Sequence, residues 1–182
     1  MNKHLNVVIG FHSHEPSWEV EQSFLHTLGR KTGQEYFPIT NYFVQNFPEE
    51  KPLHDYLLEM TSELNIPVWL DGSNEIYDQV YRYRPEGFER LQNGFRQGYI
   101  HRVLTHAHHV HTSLATPTEH IQEIRLNQQY LDTKLQTPTP THEGLFSPEA
   151  SYRPDLIETY TRLGLEYLIF PNLQSRKTPF QV

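Results

Sequence analysis

Short runs of aliphatic and β-branched residues alternate along this chain with stretches of helical period, and that alternation limits the fold more than any other feature. Leu5-Asn6-Val7-Val8-Ile9-Gly10-Phe11, Val68-Trp69-Leu70, Tyr99-Ile100-His101-Arg102-Val103-Leu104, a run ending at Glu149, and Leu165-Glu166-Tyr167-Leu168-Ile169-Phe170 read as buried strands. Between them, Pro52 to Leu64 puts Leu53, Tyr56, Leu57, Met60 and Leu64 on one helical face. A helix from Ile76 to Tyr83 follows a Ser73 or Asn74 cap, and one from Glu86 to Gln97 carries Phe88, Leu91 and Phe95. Thr116-Pro117-Thr118-Glu119 is a capping box that opens a helix with Ile121, Ile124, Leu131 and Leu135 on one stripe. Pro154 to Leu163 is predicted to be the last helix. Strands that take turns with helices build a parallel sheet with right-handed crossovers, closed as a doubly wound sheet or as part of a β/α barrel. Residues 1–182 are expected to form a single α/β domain, with a long, weakly patterned insertion from Glu19 to about Glu50.

In a parallel sheet all strand carboxyl ends share one rim, where ligands bind. His12, His14 and Glu15 follow the first expected strand, and Asp71 and Glu75 the second. His106 and His108 follow the third, where alternation would put them on one face, and Glu149 follows the fourth. The last of these sits in Gly144-Leu145-Phe146-Ser147-Pro148-Glu149-Ala150-Ser151-Tyr152-Arg153-Pro154. Gly144 is read as permitting an unusual backbone angle, and Pro148 as ending the strand by removing a donor and holding Ser147 extended. Trp18 is a candidate for stacking on a ligand ring, as exposed aromatics are in sugar sites. The bland readings are a helix cap for Glu75, a dipole-favoured carboxylate for Glu149, a solvated loop for the His106 stretch, one buried and one solvent-facing imidazole for His12 and His14, and a cover for the core for Trp18.

Composition removes several classes of function. The formal charge is −7, so no basic stripe is left to neutralise phosphates, and neither a nucleic acid nor an anionic membrane is an expected partner. There is no cysteine, hence no disulfide framework and no thiolate nucleophile. No apolar run reaches the length of a membrane span or of a signal peptide's apolar region, and a cytoplasmic protein is expected. The Gly-x-Ser-x-Gly elbow, the P-loop and the dinucleotide glycine fingerprint are all absent. Carboxylate-based glycosyl chemistry and metal-assisted hydrolysis are left.

His12-Ser13-His14-Glu15-Pro16 resembles the amino-terminal His-x-His-Gln-Pro signature of glycoside hydrolase family 57, with Glu15 in place of the glutamine. The segment around Glu149 resembles that family's Gly-x-Trp-x-Pro-Glu segment, and Gly164-Leu165-Glu166-Tyr167 fits the Gly-Ile-x-Tyr that follows it. The stretches at Asp71–Glu75 and His106 are looser matches. The resemblance implies a parallel β/α barrel of the seven-stranded type, incomplete here with about five strands. It implies retaining chemistry on α-glucans or related α-glycosides, by hydrolysis or transglycosylation, without a metal. Glu149 is then the nucleophile, and His12, His14, Glu15, Trp18, Glu75, His106 and His108 are substrate-binding candidates. The family's acid/base aspartate lies on a later strand, beyond residue 182. The chain therefore reads as the amino-terminal portion of a longer enzyme or as a truncated homologue, and alone it is expected to lack full activity.

Two other readings remain. His-x-His with a carboxylate is also good zinc chemistry, which makes a metal-dependent hydrolase or deacetylase the alternative. A non-catalytic carbohydrate-binding homologue would keep the rim and lose the acid/base. In every case the expected partner is an oligosaccharide or polysaccharide. An open sheet would expose edges and apolar surface, so an oligomer or contact with further polypeptide is expected as well.

Overall fold

The computed structural model describes residues 8–13, 53–151 and 153–169. Five short strands appear: β1 (Gly10–Ser13), β2 (Val68–Gly72), β3 (Ile100–Val103), β4 (Gly144–Phe146) and β5 (Tyr167–Ile169). The helices are α1 (Leu53–Leu64), α2 (Asn74–Tyr83), α3 (Pro85–Arg96), α4 (Pro117–Thr133) and α5 (Ile157–Arg162). Two 3₁₀ turns, Pro148–Ala150 and Pro154–Leu156, lie between β4 and α5. All strand pairs are parallel, in a three-stranded sheet ordered β1-β2-β3 and a two-stranded sheet of β4 and β5. A parallel bridge between Leu104 and Leu145 joins the two, with Leu104 N–H donating to Gly144 O at 2.9 Å and Phe146 N–H to Leu104 O at 2.8 Å. Each strand thus lies beside its sequence neighbours, and the order never reverses as it does at the switch point of a doubly wound sheet. The described strands do not close into a barrel.

The caps read from sequence are present. Ser73 accepts from Ile76 N–H, and Thr116 and Glu119 make both halves of the capping box. The apolar core lies between the helices and one face of the sheet, where Leu57, Ile76, Phe88, Leu91, Phe95, Ile124, Leu131 and Leu156 meet Val68, Leu70, Ile100, Leu104 and Leu145.

The other face is concave. Trp69 on β2 stacks on Tyr167 of β5 with ring centroids 5.0 Å apart, and His12 on β1 stacks on Phe146 of β4 at 4.6 Å. In a flat sheet, strands three places apart are separated by about 14 Å. Ring contacts at these distances require the sheet to curl. Its inner face lines an open pocket of about 350 Å³ with Val8, His12, Trp69, Asp71, Phe146 and Ile169 among its walls.

Three expectations change here. β1 does not stop at Phe11 but runs through His12 and Ser13, so His12 is a strand residue on the inner face rather than part of a following loop. Gly144 has no positive φ; it lies inside β4, and a Cβ there would fall 1.9 Å from the Tyr167 ring, so it supplies room and not an unusual angle. The last helix is short, because Pro154–Leu156 forms a separate 3₁₀ turn before Ile157.

Candidate active site

The rim at the strand carboxyl ends is built from β1, β2, the loop at residues 104–116 and the turn after β4. In parallel register His12 lies opposite Asp71, which puts both side chains on the inner face. His12 Nδ1–H donates to Asp71 Oδ2 at 2.6 Å. Asp71 is buried, and that burial raises its pKa against the opposing pull of His12. The pairing fixes the His12 ring and leaves Nε2 directed elsewhere, on a side chain that is 38% exposed.

Beyond His12 stands His109, with ring centroids 5.0 Å apart. His109 Nε2 lies 3.3 Å from Glu149 Oε1. Its pKa is lowered, first by burial and then by His12, so the ring is held neutral and the Nε2–H tautomer donates to the carboxylate. A line of contacts therefore runs Asp71, His12, His109, Glu149 across the rim, with the Phe146 ring beneath His12.

Glu149 occupies the Pro148–Ala150 turn with φ 53° and ψ 22°, and Ala150 follows at φ 48°. Two successive non-glycine residues in the left-handed region are costly, at about 1–3 kcal/mol each, and persist only where neighbours over-determine them. The neighbours are on hand. Ser151 Oγ donates to Pro148 O at 2.7 Å, and Thr112 Oγ1 meets Ser147 Oγ at 2.6 Å. Thr112 N–H donates to Ser151 Oγ at 3.2 Å, while Arg153 Nη1 donates to Ala115 O at 2.7 Å and Thr112 O at 3.3 Å. The loop after β3 is thereby fastened to the turn after β4, and the Glu149 side chain stands 64% exposed at its crest. It is a carboxylate held by backbone geometry and open to a ligand.

The remaining candidates fall elsewhere. His106 is fully buried, with Nδ1 2.8 Å from Val110 O and Nε2 2.9 Å from His120 Nδ1. His108 is exposed and pairs with Glu123 at 3.0 Å. The alternation expected of them fails because β3 ends at Val103; the chain then turns, and His109 at φ 52° faces Glu149 in their stead. Glu75 lies half-buried in the first turn of α2, its pKa raised by burial and by Glu123 and drawn down by His108. It thus shares a second polar cluster with those two residues. His14, Glu15 and Trp18 lie outside the described residues. Among the described residues no three His, Asp or Glu side chains gather as a metal set, and the His14 and Glu15 of the zinc reading are not among them.

The sequence reading did not single out His109, His120, Asn127 or Arg102. Fully buried Asn127 on α4 donates to Gly72 O at 2.9 Å and accepts from Thr105 N–H at 3.1 Å, tying the ends of β2 and β3 together at the rim. His109 carried a signal, as one of a crowded histidine run. Asn127 carried none.

A curled parallel β/α sheet with its polar groups converging at the strand carboxyl ends is the arrangement in which α/β domains place their ligand sites. The family model for glycosyl hydrolase family 57 matches residues 8–177, and the chain belongs to that family. In fold it is similar to the 4-alpha-glucanotransferase of Thermococcus litoralis, at a TM-score of 0.64 and 16% identity over 90% of this chain. It is also similar to a family 4 carbohydrate esterase of Streptomyces lividans, at a TM-score of 0.50 and 13% identity, over 66% of this chain and 57% of the esterase. The chain spans 22% of the glucanotransferase's length. No curated protein matches it in sequence. Among the described residues no helix is long and apolar enough to cross a membrane.

Proposed function

We propose that this domain supplies the nucleophile of a retaining family 57 enzyme acting on α-glucans or related α-glycosides, and that the nucleophile is Glu149. The curled sheet is then a segment of a seven-stranded β/α barrel. The observation that carries the reading is an exposed carboxylate at a strand end, on a left-handed turn, receiving one hydrogen bond from a neutral imidazole. A retaining enzyme needs such a group to attack the anomeric carbon and form a glycosyl-enzyme while a second carboxyl, about 5–5.5 Å away, protonates the leaving oxygen. With His109 Nε2–H on Oε1, Oε2 is the oxygen free to attack.

His12 Nε2 is assigned to a substrate hydroxyl, its ring held by Asp71 and Phe146. The acid/base is assigned, as in the family resemblance, to an aspartate later than any residue here. Water or a second sugar then resolves the intermediate, giving hydrolysis or transglycosylation. No cofactor enters this scheme. His14, Glu15 and Trp18 remain proposed substrate contacts. His106 is reassigned to support of the rim loop, and Glu75 and His108 to the neighbouring polar cluster.

The test is Glu149→Ala in a form of the protein with measurable turnover. The expected result is a fall in kcat of at least about three orders of magnitude, as when a unit of a covalent mechanism is removed, with an unchanged circular dichroism spectrum. Turnover within about tenfold of wild type would overturn the assignment.

A further inference from the structure

Three hydrogen bonds run through His106 and His120: two reach backbone carbonyls of the loop that grips the Glu149 turn, and one joins the two rings. His106 Nδ1 is 2.8 Å from Val110 O, His106 Nε2 is 2.9 Å from His120 Nδ1, and His120 Nε2 is 3.1 Å from Thr112 O. A carbonyl oxygen only accepts, so each outer bond needs an N–H, and the central N···N contact needs a third. Two neutral imidazoles bring two protons between them. Satisfying all three contacts at once takes three, and hence one positive charge shared by two rings that are both fully buried.

When the third proton is absent, one of the three contacts becomes a lone pair facing a lone pair. The contact to Thr112 O is the one most readily given up. It is the longest of the three, and Thr112 O keeps a second donor in Arg153 Nη1 at 3.3 Å. Thr112 is also the residue whose hydroxyl and N–H engage Ser147 and Ser151 on either side of Glu149. We infer that His120, away from the rim, is a positioning residue for the Glu149 turn: once a proton is shared with His106 it holds Thr112 O, and without that proton it leaves Thr112 O to Arg153.

The charges around the pair come from every packed element: Glu119 and Glu123 on α4, His109 in the same loop, Arg153 and Asp155 after β4, and Tyr160 on α5 edge-on to His120 at 6.2 Å. Burial is the largest influence on both rings and lowers both pKa values, with His106 pushed down to about 4. The shared proton is therefore taken up below the titration range of an ordinary histidine.

The geometry stands whether or not Glu149 is a nucleophile; only the consequence for turnover rests on that reading. The test is accordingly nuclear magnetic resonance on the full chain, labelled with nitrogen-15 in histidine rings and backbone amides and titrated from about pH 8 to about pH 3. One proton shared across the four ring nitrogens of His106 and His120 is expected, with the Thr112 and Ser151 amides moving at the same midpoint. His120→Gln keeps a donor for Thr112 O but cannot titrate, and should abolish that movement. Two independent midpoints, or amides that still move in His120→Gln, would overturn the inference. Should His120→Gln not fold, Arg153→Gln leaves both rings in place and removes the second donor. The Thr112 movement should then grow, and an unchanged amplitude would contradict the proposal.

Discussion

Arg102 on β3 and Glu149 on the turn after β4 are treated in opposite ways by their surroundings. Arg102 points to the helix side of β3, where it is buried, pairs with Asp132 and with Glu143 at 2.5 Å, and donates to Thr137 Oγ1 at 3.0 Å. Its charge is used up in joining β3 to α4 and to the connector before β4. At the rim His12 and Glu149 each have a single hydrogen-bond partner among the described residues: His12 has Asp71, and Glu149 has His109. The lesson is that burial with several partners marks a structural charge, whereas one partner and one open atom mark a chemical one. Residue type separates neither, since both regions pair carboxylates with nitrogen donors.

Arg102→Met should cost the most stability, about 3–5 kcal/mol, because it leaves Glu143 without its cation in a buried setting. Chemical denaturation would read this loss. A cost below about 1 kcal/mol would show Arg102 to be no more structural than the rim.

Next in size is the pH dependence through His106. Its folded pKa, at about 4, lies below the ordinary value of about 6.5, so the unfolded chain binds the proton more readily. The associated stability is fully present above about pH 6.5 and is lost as pH falls toward about 4, to an upper limit of about 3 kcal/mol. Melting curves across that window should flatten in His106→Asn; an identical slope would contradict the burial assigned to this ring.

Smallest is Glu149→Gly. Glycine relieves the left-handed backbone at φ 53°, so stability should hold or rise by up to about 1 kcal/mol while any turnover is lost. A clear loss of stability would mean that the Glu149 side chain supports the turn and is not merely displayed by it.

The alternation of strands and helices was legible because amphipathic periods and caps are local. The Ser73 cap and the Thr116–Glu119 box needed only neighbouring residues. The strand end before Glu149 was legible for a related reason, since Pro148 marks it without knowledge of its partners, although β4 stops at Phe146 and not at Glu149. What could not be read was pairing across sequence. Arg102 finds its carboxylates 30 and 41 residues away, and Asn127 bridges partners 22 and 55 residues away. His12 looked like loop because it is polar. In a curled sheet a polar residue can stay in the strand and face inward, and here Asp71 and Phe146 hold it there. In the histidine run the period of two was extended past the end of β3, and that misplaced His106 and His108 while passing over His109.

The central claim is that the Glu149 carboxylate forms the bond to the sugar. Its most direct test is to trap the glycosyl-enzyme with a mechanism-based α-glycoside inhibitor, on a form of the protein with measurable turnover, and to locate the added mass by peptide sequencing. The account predicts the label on Glu149, and none in Glu149→Gln. A label on any other carboxylate, or turnover with inversion at the anomeric carbon, would contradict it.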